Sequence, residues 1–103
     1  MIKINNVINE LEKYWDIPNG LFYQLRYNGI FNAEKFENFI ELVESIEIEG
    51  EQIDRRLVSL LWYIPLFMDW QKERVLEQGG DVKHLERATN QILDILEEKL
   101  GIP

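Results

Sequence analysis

The chain lacks the residues on which most small-protein chemistry depends. Its 103 residues include no cysteine and a single histidine, His84, so disulfides, thiolate nucleophiles and ordinary zinc sites are excluded. Ser45, Ser59 and Thr89 are the only hydroxyl side chains besides the tyrosines. A nucleophilic triad needs a base beside such a hydroxyl, and no glycine-rich phosphate loop is present either. We therefore expect a protein that is not an enzyme and holds no metal or cofactor.

Cationic residues and long apolar runs are also scarce. Eleven lysines and arginines face 19 acidic residues, for a formal net charge of -8, and Arg55 and Arg56 are the only adjacent cationic pair. Phosphate recognition needs clustered cations, so we expect no direct nucleic-acid partner. The most apolar run, 57–68, is far shorter than the roughly 20 residues of a membrane span, and residues 1–6 do not read as a signal peptide. A cytoplasmic protein without membrane contact is the expectation.

Apolar residues recur every three or four positions along most of the chain, which is typical of helices. A first helix is predicted from Ile4 to Trp15. Another follows an Asn32 N-cap and ends near 46–48, and a last one begins after Asp81 and stops at Gly101. The sequence predicts one all-α domain over residues 1–103, an irregular bundle of four main helices plus one short helix.

The short helix is the ambiguous element of this prediction. Residues 21–27 alternate in a way that suits a strand, and Asn28-Gly29 suits a hairpin turn, so a short hairpin at 21–31 is an alternative. The return strand would be only two residues long, which is marginal. A helix from about Asn19, closed by Gly29 in the left-handed conformation, is preferred.

The fourth helix is capped by Asp54 and is apolar on nearly every side from Leu57 to Met68. Such a helix is predicted to be central and surrounded by others, with Trp62 in the core. Pro65 lacks an N–H to donate, so a kink near 61–65 is expected. Trp70, which follows Asp69, is placed where the helix leaves the core.

The negative charge is concentrated in one segment of the chain. Residues 34–54 hold eight acidic residues against Lys35 alone, so most of the net charge lies in about a fifth of the chain. Four of the glutamates share one helix face, opposite the apolar residues. The predicted site extends from this face into the turn that follows it and also includes the exposed end of the fourth helix. The predicted partner-binding residues are Glu34, Glu37, Glu41, Glu44, Glu47, Glu49, Glu51, Asp54, Asp69 and Trp70.

Two other readings of the acidic segment remain open. It is equally typical of the solvated side of a surface helix. A divalent-cation site is the third reading, although an alignment of Gly50 with the glycine of a calcium loop puts Arg56 where glutamate is required.

In size, acidity, helical character and absence of cysteine, the whole chain resembles the small immunity proteins and antitoxins of bacterial toxin systems. The resemblance implies an inhibitor that occludes a basic partner, such as a nuclease toxin, by steric and electrostatic means. The alternative is a structural or regulatory helical subunit that forms homo-oligomers through the apolar helix and the last helix. No sequence motif carries the resemblance, so no residue role is transferred by it.

Overall fold

The structure, a computed structural model, describes residues 4–48 and 50–103. All regular secondary structure in these residues is helical. No strand occurs in these residues, which confirms the all-α prediction. The helices are α1 (Ile4–Asp16), α2 (Leu21–Asn28), α3 (Ala33–Glu44), α4 (Arg55–Leu61), α5 (Ile64–Trp70), α6 (Lys72–Glu77) and α7 (Val82–Leu100).

The segment 21–31 contains the helix α2 (Leu21–Asn28) and no strand, so the hairpin alternative is wrong and the preferred short helix is confirmed. Gly29 ends α2 with φ of 66°, in the left-handed region that favours glycine. Its N–H and that of Ile30 both point back to the carbonyl of Gln24. The alternation of residues 21–27 arises because half-buried Tyr23 and exposed Tyr27 add aromatic residues to the outer side of a helix whose inner side is also apolar.

The predicted fourth helix is divided into three, α4, α5 and α6. The first break, at Trp62 and Tyr63, lies where Pro65 leaves the carbonyl of Leu61 without a donor, so the predicted kink is confirmed. A second break at Gln71 was not predicted. Its backbone, at φ -91° and ψ 0°, tightens the end of α5.

The prediction that this apolar helix is surrounded by others is wrong. One face of α4 and α5 enters the core, and its buried residues are Leu57, Leu60, Leu61, Ile64, Phe67 and Met68. The opposite face is open, with Trp62 54% and Leu66 45% exposed. An apolar composition does not reveal whether every face of a helix has a neighbour, and here α5 packs mainly on α7.

Aromatic rings occupy the centre of the core. Phe22 of α2 is fully buried and stacks on Trp15 of α1, with ring centroids 4.6 Å apart. It meets Phe39 of α3 edge-on at 5.0 Å and Phe67 of α5 at 6.0 Å. One cluster therefore joins four helices.

The longest helix, α7, supports the other side of the bundle. It packs against α3, α5 and α6, while α1 packs against α2 and α4. Near its carboxyl end, Lys99 donates from Nζ to the carbonyl oxygens of Glu44 and Ile46, at 3.0 and 2.8 Å. This satisfies backbone acceptors at the end of α3, where no helical donor follows.

Truncation of Phe22 to alanine should be among the most destabilising single changes in the chain. It removes the shared neighbour of three rings and leaves a cavity, so we expect Phe22→Ala to lower the free energy of unfolding by about 3–5 kcal/mol. Tyr27→Ala, which truncates an exposed aromatic residue of the same helix, should cost less than about 1 kcal/mol. Urea titration of both variants measures the difference, and equal losses would contradict the central place given to Phe22.

Gly29→Ala tests the close approach of α2 to α6. A Cβ on Gly29 would lie 2.6 Å from Cγ of Arg74 and 2.9 Å from its backbone oxygen, whereas one on Gly79 would meet no atom within 4 Å. Both glycines have positive φ, so Gly79→Ala is a control for backbone strain alone, about 1 kcal/mol. Thermal unfolding should show the larger loss for Gly29→Ala, and similar losses would exclude a steric effect.

Candidate protein-binding surfaces

The start of α3 determines which way its carboxylates face. The side chain of Asn32 accepts a hydrogen bond from the N–H of Lys35 at 3.0 Å, as an N-cap does. Phe31, before the cap, packs its ring 5.4 Å from that of Phe36, which fixes the entry of the chain into the helix. The inner face then buries Phe36, Phe39, Ile40 and Val43.

The outer face of α3 carries the row of glutamates that the sequence predicts, all of them exposed. We call Glu34, Glu37, Glu41 and Glu44 the acidic stripe. Their spacing of three and four residues places neighbouring carboxylates on adjacent turns of one face. The structure thus brings together the four residues at the centre of the predicted site.

No lysine or arginine forms an ion pair with a carboxylate of the acidic stripe within the described parts of the chain. Ion pairs there join Lys13 to Glu10, Arg56 to Glu12, and Lys72 to both Asp69 and Glu86. Lys35, on the same helix, donates its Nζ instead to the carbonyl of Asn19. The carboxylates of the stripe therefore face solvent without an ion-pair partner among these residues, although the Lys99 ammonium, bound to the carbonyl oxygens of Glu44 and Ile46, lies at the carboxyl end of α3.

The remaining acidic residues of the segment 34–54 differ in their roles. Glu47 and Glu51 are exposed in the connection between α3 and α4, and Glu49 lies outside the described residues. Asp54 caps α4, with Oδ1 accepting from the N–H groups of Arg56 and Leu57 at 2.8 and 3.3 Å. The Asp54 carboxylate is thus occupied as the N-cap of α4, the role that the sequence predicts for it.

Asp69 is not a free carboxylate either. It lies 2.7 Å from Nζ of Lys72, and this hydrogen bond is the main reason that the pKa of Lys72 is raised above its ordinary value. Lys72 also reaches Glu86 of α7 at 3.6 Å, so the group links α5, α6 and α7. Asp69 lies on a different helix from the acidic stripe, and no hydrogen bond or ion pair among the described residues joins the two.

Sequence reasoning missed a second surface, the open side of α4 and α5. Trp70 is 61% exposed, as expected, but Trp62 and Leu66 are exposed beside it. The ring of half-buried Tyr63 contacts Trp62 at 5.6 Å and Trp70 at 5.8 Å. We call Trp62, Tyr63, Leu66 and Trp70 the aromatic face. Its signal was present in the sequence, because Trp62, Leu66 and Trp70 recur every four residues.

Concave sites are modest. The best-formed cavity, about 220 Å³, lies between α1 and the amino end of α2 and is lined by Lys13, Tyr14 and Lys35 among others. Both lysines already donate to groups of the chain. Burial, with a smaller effect of nearby Glu10, raises the pKa of the Tyr14 hydroxyl, which keeps it protonated.

Within residues 4–48 and 50–103, no three histidine, aspartate or glutamate side chains converge as ligands for a metal ion. Among the same residues, no helix combines the length and apolar character that crossing a membrane requires.

Comparison of the chain with protein-family models, with curated proteins and with solved structures yields no match. The acidic stripe and the aromatic face are therefore the features that point to a function.

Repulsion between the carboxylates of the acidic stripe should reduce the stability of α3. Substitution of one glutamate measures this repulsion. Glu41 has like-charged neighbours on both sides, Glu37 and Glu44. Each like-charged pair at this spacing costs about 0.2–0.5 kcal/mol, and Glu41→Lys replaces two such pairs with two opposite-charge pairs, so it should raise the free energy of unfolding by about 0.8–2 kcal/mol at low salt.

Glu41→Gln, which removes the charge without reversing it, should give about half of that gain. Both gains should shrink in concentrated salt, because exposed charges are screened. Chemical denaturation at two ionic strengths provides the measurement. A loss of stability in Glu41→Lys would mean that Glu41 has a favourable partner within the fold.

Proposed function

We propose that this chain is a non-catalytic binding protein that uses the acidic stripe to neutralise a basic protein partner. An immunity or inhibitor protein of a bacterial toxin system is the specific form of this proposal. The observation that carries it is the row of exposed carboxylates on α3, none of which has an ion-pair partner among the described residues.

The energetics of the stripe support this proposal over solvation alone. Alternating glutamate and lysine would keep a surface helix soluble and would stabilise it, whereas four glutamates in a row destabilise it. A cost of this kind is offset when cationic groups of a partner occupy the same face. Glu34 and Glu44 are ten residues apart, so the row is about 15 Å long, enough for several lysine or arginine side chains.

Inhibition would follow from occupancy of the partner's basic surface. A nuclease binds nucleic acid through clustered cations, and a protein that pairs with those cations competes for the same groove. Complementary charge would also accelerate encounter between the two proteins, which matters for an inhibitor that must act before its target does.

The aromatic face favours a second function, that of a structural or regulatory helical subunit. Trp62, Leu66 and Trp70 are the kind of side chain that anchors protein interfaces, and they lie on other helices than the stripe. In that case the acidic segment would serve solubility only.

Charge reversal of the stripe tests the primary proposal. The immobilised chain is used to capture proteins from the native host at low salt, and the parent is compared with Glu37→Lys/Glu41→Lys/Glu44→Lys. The proposal predicts a basic partner that is eluted by salt, together with an association rate constant at least about tenfold lower for the triple variant.

The matched control is Glu77→Lys/Asp94→Lys/Glu97→Lys, which changes the net charge equally at exposed positions of α6 and α7. It should keep most of the binding, since the proposal assigns recognition to α3 and not to net charge. An acidic partner, or equal effects of the two triple variants, would refute the role of the stripe.

A further inference from the structure

The aromatic face leaves a large apolar area in water for a chain of this size. Trp62 is 54% and Trp70 61% exposed, and Leu66 lies between them. With about 250 Å² for a whole tryptophan side chain, the two indoles alone leave roughly 300 Å² uncovered. Single exposed apolar residues are ordinary, whereas the largest contiguous patch of a monomer, typically about 300–600 Å², is often functional, and this patch falls in that range.

The face has a near-symmetric arrangement about Leu66. Trp62 precedes Leu66 by four residues and Trp70 follows it by four, and the backbone stays in the right-handed helical region at Trp62 and Tyr63. If a second copy packs antiparallel on this face, a two-fold axis at Leu66 brings Trp62 of each protomer opposite Trp70 of its partner. Such a contact uses the same residues on both sides and closes as a dimer.

The charges at the two ends of the face are opposite in sign. Exposed Arg55 begins α4, two turns before Trp62, and exposed Glu73 lies in the first turn of α6, three residues after Trp70. In the antiparallel arrangement, Arg55 of one protomer reaches the end that carries Glu73 on the other. The face is therefore complementary to a second copy in charge as well as in apolar surface.

Arg55 also lacks a counter-charge in its own chain, as far as the described residues go. Its neighbour Arg56 pairs with Glu12 at 2.8 Å, and no carboxylate lies within 4 Å of Arg55 in residues 4–48 and 50–103. A cation in the first turn of a helix is disfavoured by the helix dipole. A carboxylate from a second copy would offset that unfavourable position.

We propose that the aromatic face is the interface of a symmetric homodimer, formed by antiparallel packing of α4 and α5 from two copies of this chain. The local charge favours a second copy over the basic partner at this face. Residues 55–73 contain Arg55, Arg56 and Lys72 against Asp69 and Glu73, so this surface is not acidic. The dimer does not depend on the acidic stripe, which remains available on α3.

The experiment is sedimentation equilibrium over a range of protein concentrations, with the parent and three single variants. We expect a monomer–dimer equilibrium in the parent. Trp62→Ala and Trp70→Ala should each raise the dimer dissociation constant at least about tenfold. Tyr27→Ala, which truncates an exposed aromatic residue of α2, should leave it unchanged. Circular dichroism of each variant verifies that the helices are retained.

A charge exchange tests the orientation of the two copies. Arg55→Glu and Glu73→Arg should each weaken the dimer, and the double variant Arg55→Glu/Glu73→Arg should restore it, because each new pair forms across the interface. Arg55 and Glu73 lie on different helices, α4 and α6, and no ion pair joins them within the described parts of one chain, so rescue would report a contact between two copies. Tryptophan emission should also shift to shorter wavelength as concentration rises, since two of the three indoles become buried.

A parent that stays monomeric up to about 1 mM overturns the proposal. So does a dimer that survives both tryptophan substitutions. A dimer sensitive to the tryptophans but not rescued by the exchange overturns the antiparallel geometry. None of these outcomes involves the acidic stripe, so failure here is distinguishable from failure of the partner-binding proposal.

Discussion

The contact between Phe22 and its aromatic neighbours is the interaction on which the rest of the structure depends. Trp15, Phe22, Phe39 and Phe67 belong to α1, α2, α3 and α5, so one cluster of rings fixes the relative rotation of four helices. Edge and stacked contacts between rings have preferred geometries, which makes such a cluster more specific than aliphatic packing. The side of each helix that faces solvent is then determined by the side that faces the cluster.

The two candidate surfaces are consequences of that arrangement. Because Phe39 turns one side of α3 inward, the glutamates on its opposite side must lie in water. Because Phe67 does the same for α5, Leu66 is turned outward. The functional surfaces therefore need no loops of their own, since they are the outer sides of helices whose inner sides form the core.

Arg26 extends the aromatic cluster toward α6. Its guanidinium lies 5.4 Å from the ring of Trp15 and 5.0 Å from that of Phe67, while Arg74 donates to its carbonyl oxygen. A cation above aromatic rings is stabilised by their quadrupoles and still keeps contact with water. The end of α2 is thereby held against α6, which explains why Gly29, with no side chain, occupies the point of closest approach.

Local chemistry made much of this fold predictable. Asn32, Asp54 and Asp81 each accept a backbone hydrogen bond at the start of a helix, and caps of this kind can be read from sequence because they act within a few residues. The position of Pro65 predicts the first break of the apolar helix for the same reason. The acidic stripe was predictable too, because periodicity alone sets the face of a helix.

The features that the sequence did not predict correctly depend on packing between distant segments. The recurrence of Trp62, Leu66 and Trp70 places them on one face, but whether that face is covered depends on which helices lie beside α4 and α5. The break at Gln71 likewise has no proline or glycine to announce it, and it redirects the chain so that α6 meets α7. The bridge that Lys72 forms between Asp69 and Glu86 of α7 is a tertiary arrangement that composition does not reveal.

The two surfaces differ in the physical force that would act on a partner, and salt therefore separates them. Binding through the acidic stripe is electrostatic and weakens as salt screens exposed charge. Burial of the indoles is driven by the hydrophobic effect, which salt does not screen, and screening reduces the repulsion between two copies that each carry a net charge of -8. Conditions that release a basic partner from α3 should thus leave two copies joined through α4 and α5.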